Sequence, residues 1–478
     1  MKKRLSLILL LTALLTLPVS AVNQPVPLLS WTDDPTTTIT AAWTAESAQR
    51  AEMQIIRETD YEKTAFASAV SVPAKCWDIS LDGSGVWHYE VTATGLTPST
   101  AYVYRVGSAV AWSEPRHFTT AAGDDFITFA YMGDVQPEGD AAKTYAEWGK
   151  LTKSVCAVHP ELSFAVLGGD IVNSGISQAQ FDLFSQYASP VFGSVPLFST
   201  AGNHESNFPS GKPELFLDTF AFPKNGPTGF EEEFYSFDCG NVHMTVLNSW
   251  IFSGEQKLTD ADFERIVQWL KHDLASSAAD WKIVVTHLPV YAVHGDANAD
   301  KMRNAWSAIF EEYGVDLVLV GHQHVYSRSY PLTQGAIDYE NGITYIMGVS
   351  GSKFYSSADE TFAERTIYNT ATCQLIRADG DSLTVQTLDA DGNELDFVSI
   401  PQRSGAQTRL AYITKLWQAA GYPASAKRSP FADSDDPAVR WAYEKKLVFG
   451  YGNGLFGTDD LITDWQIALI QNRMEAQF

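Results

Sequence analysis

The stretch LSFAVLGGDIVN, residues 162–173, decides the fold of the central part of this 478-residue chain. Its apolar half is typical of a strand, and the polar cluster GGD follows where that strand ends. Four other apolar runs end in the same way: ITFAY before Asp134, VPLFST before Asn203, WKIVVT before His287 and VDLVLV before His322. Predicted helices lie between these runs, over residues 141–158, 260–278 and 301–313. Strands that alternate with helices predict an α/β fold.

The polar clusters are far apart in sequence, from Asp134 to His324. In open α/β sheets, ligands bind beyond the carboxyl ends of the strands, and each of these clusters stands at such an end. We therefore expect the clusters to converge on one site.

A different pattern precedes this region. Residues 25–120 contain short β-prone runs separated by turn residues, among them TTTITAAWTA, AEMQIIRE, WHYEVTATGL and AYVYRVGS. Such runs without a helical period predict a β-sandwich. We place this domain at residues 22–122 and the α/β domain at residues 124–401, where the last predicted strands end. Residues 406–478 follow a short polar linker and predict a small helical segment.

The first residues are typical of an export signal. Three basic residues precede an apolar run over residues 5–17, and Val19-Ser20-Ala21 offers a cleavage site, so residues 1–21 are predicted to be a signal peptide. A retained membrane anchor is disfavoured because a span needs about 20 apolar residues. We expect a secreted protein with no transmembrane segment after cleavage.

Composition and charge limit the function. The chain is 45% hydrophobic, which allows two or three folded domains. The 57 acidic and 33 basic residues give a net charge of −24, which opposes binding to nucleic acids. An anionic substrate would also be repelled, so it would need local cations. The four cysteines form no CxxC pair, and both disulfides and free thiols stay open.

The residue types in the clusters suit metal ions that act on phosphate. Carboxylate, amide and imidazole groups bind such ions, and two neighbouring ions need one ligand that reaches both. Each motif alone is weak, but the ordered series GD, GDxxN, GNHE, VxxH and GHxH is specific. It resembles the calcineurin-like metallophosphoesterase superfamily. The sandwich, with its Trp43, Tyr102 and Tyr104, resembles the fibronectin type III-like domain of purple acid phosphatases, and GHQHVYSRSYP also indicates that group.

The resemblance implies an α/β/β/α sandwich and two divalent or trivalent metal ions, with Fe, Zn or Mn as candidates. It implies that Asp170 bridges the ions. The other implied ligands are Asn203, His287 and His322 at the second site, and Asp134 and His324 at the first. His204 would face the phosphate and stabilise the transition state or protonate the leaving oxygen.

The chain departs from the family at two positions. Asn173 stands where purple enzymes have a tyrosine, and Gln136 stands where other superfamily members have a histidine. Gln136 could lend an amide oxygen to the first metal, or water could take that place. His294 could contact substrate or be a solvated loop residue. Tyr326 and Arg328 are expected to orient their loop, and Tyr291 to line the pocket.

The C-terminal segment resembles one S-layer homology repeat. The matching features are Phe431-Ala432-Asp433, Trp441-Ala442, the turn that begins at Gly450, Phe456 and Ile462. The resemblance implies binding to a cell-wall polymer, although Asp464 stands where the repeat usually has arginine. A helical tail that packs on the catalytic domain is the alternative.

Together these features predict an exported, surface-attached hydrolase of phosphate esters. A phosphomonoesterase similar to acid phosphatases is the first hypothesis. A phosphodiesterase or nucleotide hydrolase of the same superfamily is the second, and a catalytically silent wall-bound adhesion protein is the third.

Overall fold

The computed structural model describes most of the chain. The described residues are 24–79, 85–123, 126–207, 209–356, 361–380, 382–402, 408–451, 454–460, 462 and 464–475. The predicted signal peptide, residues 1–21, lies outside them. Within these ranges, no helix has the length and apolar character needed to cross a membrane.

The N-terminal region is a β-sandwich, as its alternating pattern predicts. Its elements are β1 (Leu28–Ser30), β2 (Ile39–Ala45), β3 (Glu52–Arg57), α1 (Glu58–Thr64), β4 (Val70–Pro73), β5 (Lys75–Asp78), β6 (Trp87–Ala93), β7 (Ala101–Gly107) and β8 (Arg116–Thr119). They form two antiparallel sheets with the strand orders β1-β2-β6-β5 and β4-β3-β7-β8. Helix α1 was not predicted. None of its residues is buried, so it lacks the apolar face that makes a helix visible in sequence.

The central region contains fifteen described strands and five α-helices. The strands are β9 (Ile127–Met132), β10 (Leu162–Leu167), β11 (Leu197–Ser199), β12 (Phe234–Cys239), β13 (Val242–Leu247), β14 (Trp281–Thr286), β15 (Leu317–Val320), β16 (Tyr326–Ser329), β17 (Leu332–Thr333), β18 (Ala336–Ile337), β19 (Thr344–Met347), β20 (Ala363–Ile367), β21 (Cys373–Asp379), β22 (Ser382–Leu388) and β23 (Glu394–Pro401). The helices are α2 (Ala141–Val155), α3 (Gln178–Phe192), α4 (Glu214–Leu217), α5 (Asp260–Ser276) and α6 (Ala297–Glu312).

Two mixed sheets form the middle of this region. One has the order β11-β10-β9-β21-β22-β23, and the other has the order β12-β13-β14-β15-β19-β16-β20. The strands that carry the predicted polar clusters are parallel to their neighbours, β9 to β10 to β11 and β14 to β15. Their carboxyl ends therefore lie along one edge of each sheet.

Alternating side chains of β14 show how the layers are built. Ile283 and Val285 belong to the core between the two sheets, whereas Val284 belongs to the core under helices α5 and α6. Helices α2 and α3 cover the other sheet with Trp148 and Phe184. The layers are helix, sheet, sheet and helix, which confirms the predicted α/β/β/α sandwich.

The helix boundaries differ from the predicted ones where a cap decides them. Helix α6 begins at Ala297 rather than at residue 301, because Asp296 accepts hydrogen bonds from the backbone N–H groups of Asn298 and Ala299. Helix α5 begins as predicted, at the capping box formed by Thr259 and Asp262. Helix α3 was not predicted.

The C-terminal region consists of helices α7 (Arg409–Ala419), α8 (Pro437–Glu444) and α9 (Asp464–Glu475). It has its own small core, which includes Ile413, Trp441 and Phe456. Asp433 accepts hydrogen bonds from the backbone of Phe456 and Gly457 and so holds the turn before α9. The predicted small helical segment is confirmed.

The four cysteines, all within the described residues, form no disulfide. Cys76 is exposed, whereas Cys156, Cys239 and Cys373 are buried.

Candidate metal centre

The predicted site residues converge where the two sheets meet. Asp134 and Asp170 follow β9 and β10 of one sheet, and His287 follows β14 of the other. Two groups of ligand atoms result, each with all atoms within 4.8 Å of one another. One group consists of Asp170, His287 and His322, and the other consists of Asp134, Asp170 and His324. Asp170 is the residue that the two groups share.

In the group with His287, the donor atoms face one another. His287 Nε2 lies 3.3 Å from Asp170 Oδ2 and 3.1 Å from Asn203 Oδ1. His322 Nδ1 lies 3.0 Å from Asn203 Oδ1 and 3.2 Å from His287 Nε2. The other nitrogen of His287, Nδ1, donates to the carbonyl oxygen of Gly168 at 2.8 Å, which turns Nε2 toward the other donor atoms.

The group with His324 contains fewer imidazoles. His324 Nε2 lies 3.9 Å from Asp134 Oδ1. The amide nitrogen of Gln136 lies 3.3 Å from Asp170 Oδ2 and 3.2 Å from His324 Nε2, so the Gln136 amide stands among the ligand atoms. Among the described residues, Asp134 Oδ2 and Gln136 Oε1 are buried without a hydrogen-bond partner. Turning the amide by 180° would bring its oxygen to the ligand atoms.

The electrostatics of these groups suit cations. Burial raises the pKa of Asp134 well above its usual range, and the charge of Asp170 adds to this rise. Burial alone would lower the pKa of His287, but Asp170 and Asp134 raise it to about 10. The carboxylates therefore draw positive charge into a buried space. Carboxylate, amide and imidazole donors with unpaired oxygen atoms fit hard or borderline metal ions.

Glu205 holds the loops that carry the ligands. Its carboxylate accepts hydrogen bonds from the backbone N–H groups of Asp170 and Ile171 at 2.8 Å, of Val172 at 3.2 Å and of Gly202 at 2.7 Å. The ends of β10 and β11 are thus tied to one buried side chain. Sequence reasoning placed Glu205 in the motif GNHE but gave it no role.

Asp296 was missed as a functional residue. Its Oδ2 lies 2.9 Å from His322 Nε2, so the carboxylate holds the ring that presents Nδ1 to Asn203 and His287. The same side chain caps helix α6 through Oδ1. An aspartate before a predicted helix was the available signal.

Four predicted ligands have left-handed backbone conformations. The φ angles are 43° at Asp134, 52° at Asp170, 76° at His322 and 43° at His324. A residue with a β-carbon in this region is strained by about 1–3 kcal/mol, and such residues are typical of functional sites. These turns follow three strands, β9, β10 and β15, and direct four side chains into one space.

His204 lies on the open side of the centre. Its backbone N–H donates to Asp170 Oδ1 at 2.9 Å, and its ring Nδ1 lies 2.9 Å from the carbonyl oxygen of Asn173. Nε2 lies 3.9 Å from Asp170 Oδ2, and the side chain is 25% exposed. Asn173 is itself exposed, and its contribution to this contact is a backbone carbonyl.

The structure places the remaining candidates as follows. The backbone N–H of His294 donates to Gln323 Oε1, and the His294 ring lies against Tyr355 with centroids 5.1 Å apart. The Tyr326 hydroxyl and the Arg328 guanidinium both bind Asp396 on β23. They therefore tie the strand after GHQH to the other sheet. Tyr291 lines a separate cavity of about 410 Å³ with Arg303, Leu332 and Phe362, among other residues, and no predicted ligand lines that cavity.

Three stretches of the sequence match known families. Residues 127–326 match the calcineurin-like phosphoesterase family, residues 26–120 match the purple acid phosphatase N-terminal domain, and residues 430–463 match the S-layer homology domain. The chain therefore carries these three domains, which confirms the resemblances found in the sequence.

Curated relatives are similar to part of this chain. Purple acid phosphatase 15 of Arabidopsis thaliana is 28% identical over 302 residues, which cover 56% of this chain and 54% of the relative. Purple acid phosphatase 18 of the same plant is 27% identical over 282 residues, which cover 56% and 59%. The chain spans about half the length of these relatives.

The structure of a purple acid phosphatase from yellow lupin (Lupinus luteus) seeds superposes with a TM-score of 0.62 at 18% identity, covering 80% of this chain and 75% of that one. The structure of PhoD superposes with a TM-score of 0.55 at 12% identity, covering 78% and 92%. At these identities the likeness shows a shared fold.

Proposed function

We propose that this protein is an exported, metal-dependent phosphomonoesterase attached to the cell surface. The observation that carries the proposal is the pair of ligand clusters that share Asp170. The phosphoesterase domain and the purple acid phosphatase relatives support the same reaction class and imply a binuclear metal centre. The S-layer homology domain supports attachment to the cell surface, and the apolar leader supports export.

In this proposal each predicted ligand has one role. Asp170 would be shared by two metal ions, His287, His322 and Asn203 would hold one of them, and Asp134, His324 and Gln136 would hold the other. When bound, the two ions activate water for attack on phosphorus and neutralise the phosphoryl oxygens. Fe, Zn and Mn all suit this mixture of carboxylate, amide and imidazole donors.

His204 is proposed to donate a proton to the leaving oxygen. The Asn173 carbonyl accepts a hydrogen bond from Nδ1, which orients the ring, and Nε2 lies 3.9 Å from Asp170 Oδ2. The Nε2 proton of that ring can then be given to the departing alkoxide. Because the side chain is 25% exposed on the open side of the cluster, an ester can reach it.

The first experiment tests the bridging ligand. Asp170→Asn should lower the metal content of purified protein from two ions per chain at both sites and abolish turnover of p-nitrophenyl phosphate. Asp300→Asn, an exposed carboxylate paired with Arg303 on helix α6, is the matched control and should keep both ions. Full metal content and full activity in Asp170→Asn would reject the proposal.

The second experiment tests the reaction class. Wild-type protein should hydrolyse p-nitrophenyl phosphate faster than bis(p-nitrophenyl) phosphate. A preference for the bis-ester would identify a phosphodiesterase, and absence of turnover with each added metal would favour a wall-bound adhesion protein.

The third experiment tests His204 as the proton donor. A general acid contributes about 10²- to 10⁴-fold in rate, so His204→Ala should lose that much on an alkyl phosphate. The loss on p-nitrophenyl phosphate should be smaller, because its leaving group needs no proton. His272→Ala, which removes an exposed histidine on helix α5, is the control. Equal losses on the two esters would indicate electrostatic stabilisation, and loss of metal would make His204 a ligand.

Surface attachment has its own experiment. Wild-type protein should sediment with cell walls, and a chain ending at Gly405 should stay in the supernatant. Equal sedimentation of both proteins would contradict binding through the C-terminal region.

A further inference from the structure

A loop after β19 contacts the turns that carry Asp134 and His324 and is not part of the ligand series. This loop, residues 348–356, has the sequence GVSGSKFYS and is called the 348–356 loop below. The backbone N–H groups of Ser350 and Gly351 donate to the carbonyl oxygens of Gly133 at 2.6 Å and Asp134 at 2.9 Å. The backbone N–H of Tyr355 donates to the carbonyl oxygen of His324 at 3.0 Å.

These bonds fix the loop against the turns that carry Asp134 and His324. Gly351 allows the close approach, because a β-carbon at that position would lie 2.6 Å from the Asp134 carbonyl oxygen. The 348–356 loop is therefore positioned by the same turns that position Asp134 and His324.

The Tyr355 ring stands between two histidines of the site. Its centroid lies 5.3 Å from that of His324 and 5.1 Å from that of His294. Burial raises the pKa of the Tyr355 hydroxyl, and the charges of Asp134, Asp170 and Asp296 raise it further. The side chain is half-buried, and no described residue forms a hydrogen bond with its hydroxyl.

Lys353 brings a positive charge to the same side. It lies between Gly351 and Tyr355, whose backbone N–H groups bind the carbonyl oxygens of Asp134 and His324. Lys353 is half-buried and forms no ion pair with a described residue. In a chain with a net charge of −24, a cation at this place is a local exception.

We propose that Tyr355 and Lys353 bind the non-reacting oxygens of the phosphoryl group, so that the 348–356 loop selects doubly charged monoesters over singly charged diesters. The proposal rests on the phosphomonoesterase function and names the residues that give its preference. The Tyr355 hydroxyl donates a hydrogen bond to one oxygen, and the Lys353 ammonium stabilises the second negative charge. A diester has an alkyl or aryl group in place of that second charge and gains less from the lysine.

The experiment uses Tyr355→Phe and Lys353→Met in the full chain with its metals bound. Tyr355→Phe keeps the ring contacts with His294 and His324, and the matched controls are Tyr339→Phe and Lys150→Met, which change exposed residues. The measurements are metal content, affinity for inorganic phosphate by calorimetry, and kcat/KM for p-nitrophenyl phosphate and its bis-ester.

A hydrogen bond to a charged group accounts for about a 10- to 100-fold change in binding, so each variant should lose that much phosphate affinity. The kcat/KM for the monoester should fall by a similar factor while metal content is unchanged. In Lys353→Met the bis-ester should lose less than the monoester, and Lys353→Arg should recover part of the loss.

Several results would overturn the proposal. One is phosphate affinity within twofold of wild type in both variants. Another is loss of metal from Tyr355→Phe, or loss of a visible band from its iron-loaded form, since either would make Tyr355 a ligand. Wild-type protein that binds phosphate without hydrolysing esters would reject the phosphomonoesterase function, and the affinity losses would still decide the roles of Tyr355 and Lys353. Wild-type protein that binds no phosphate would reject both.

Discussion

The N-terminal and C-terminal regions attach to the central domain by different kinds of contact. The N-terminal sandwich shares one continuous apolar core with the first central sheet. Trp31, after β1, is 3% exposed, and its ring centroid lies 5.8 Å from Phe164, 5.6 Å from Phe198 and 6.1 Å from Phe237. A polar bond adds to this interface, from the Tyr104 hydroxyl to the Gly193 carbonyl oxygen at 2.7 Å.

The C-terminal region has a separate apolar core. It contacts helix α5 and the residues near it through polar groups. The Thr408 hydroxyl donates to the Ala275 carbonyl oxygen at 2.6 Å, and Lys415 pairs with Asp280 at 2.7 Å. Shared apolar burial joins two regions into one folding unit, whereas a few polar contacts hold a module that can be removed. The sandwich is thus a structural part of the central domain, and the C-terminal region is an accessory to it.

The largest expected effect comes from breaking the shared core. Trp31→Ala should destabilise the sandwich and the central domain together by about 3–5 kcal/mol, because truncating a buried aromatic side chain leaves a cavity. Urea unfolding followed by circular dichroism measures this loss. Trp417→Ala is the control, since Trp417 contacts Tyr422 and Pro423 within the C-terminal region. An equal loss of central-domain stability in both variants would mean that the C-terminal core is not independent of the shared core.

A smaller effect concerns His243, which ties β13 to helix α5, the helix that the C-terminal region contacts. Burial alone would lower the pKa of His243, but Asp273 on α5 and Asp238 on β12 raise it to about 10. The folded protein therefore holds this proton more tightly than the unfolded chain. The pair stabilises the fold fully below pH of about 6.5, and the contribution disappears as pH rises through about 10.

His243→Gln should accordingly cost about 3 kcal/mol near pH 6.5, as expected for a buried ion pair that loses one partner. The difference from wild type should shrink as pH approaches 10. Urea midpoints of both proteins at several pH values measure it. Comparing the two proteins at each pH cancels the contributions of other titrating groups to stability. One of these groups is Lys282, whose pKa is lowered to about 8 by burial. A difference that stayed constant with pH would show that His243 acts by packing alone.

Removing the C-terminal region should have a smaller effect still. A chain that ends at Gly405 loses the Thr408 and Lys415 contacts, so the central domain should lose roughly 1 kcal/mol. Its kcat/KM for p-nitrophenyl phosphate should be that of the full chain, because no predicted ligand lies beyond His324. Inactive or aggregated protein after truncation would favour the packed-tail alternative.

The smallest expected effect on stability comes from removing the ion pair between Lys415 and Asp280. The side chains of Lys415 and Asp280 are 49% and 22% exposed, and Lys415→Ala should change the unfolding free energy by about 0.5 kcal/mol or less. Thermal unfolding of the full chain measures this. A loss as large as that of Trp31→Ala would mean that polar contacts carry the attachment after all.

The sequence predicts the site better than its surroundings, for a physical reason. Asp134, Asp170 and His287 follow apolar strands directly, so strand periodicity places them at one edge. Asp296 and Tyr355 reach the centre through loop conformations, which depend on contacts between distant parts of the chain. Glu205 was visible in its motif, but its four backbone bonds depend on how two loops meet.

Helices α1 and α3 were not predicted, and they differ in the signal that the sequence offered. Helix α3 has buried apolar residues at Phe181, Phe184, Ala188 and Val191, a helical spacing that could have predicted it. Helix α1 has no buried residue and gives no such signal.

The left-handed backbone conformations at Asp134, Asp170, His322 and His324 also lower the stability of the fold. Glycine adopts these φ angles without penalty, so replacing any of the four by glycine would relieve backbone strain while it removes a proposed metal ligand. A chain no longer selected for catalysis would gain stability by losing its ligands one at a time. Four non-glycine residues at such φ angles therefore reduce stability, and only a function of their side chains compensates for that loss.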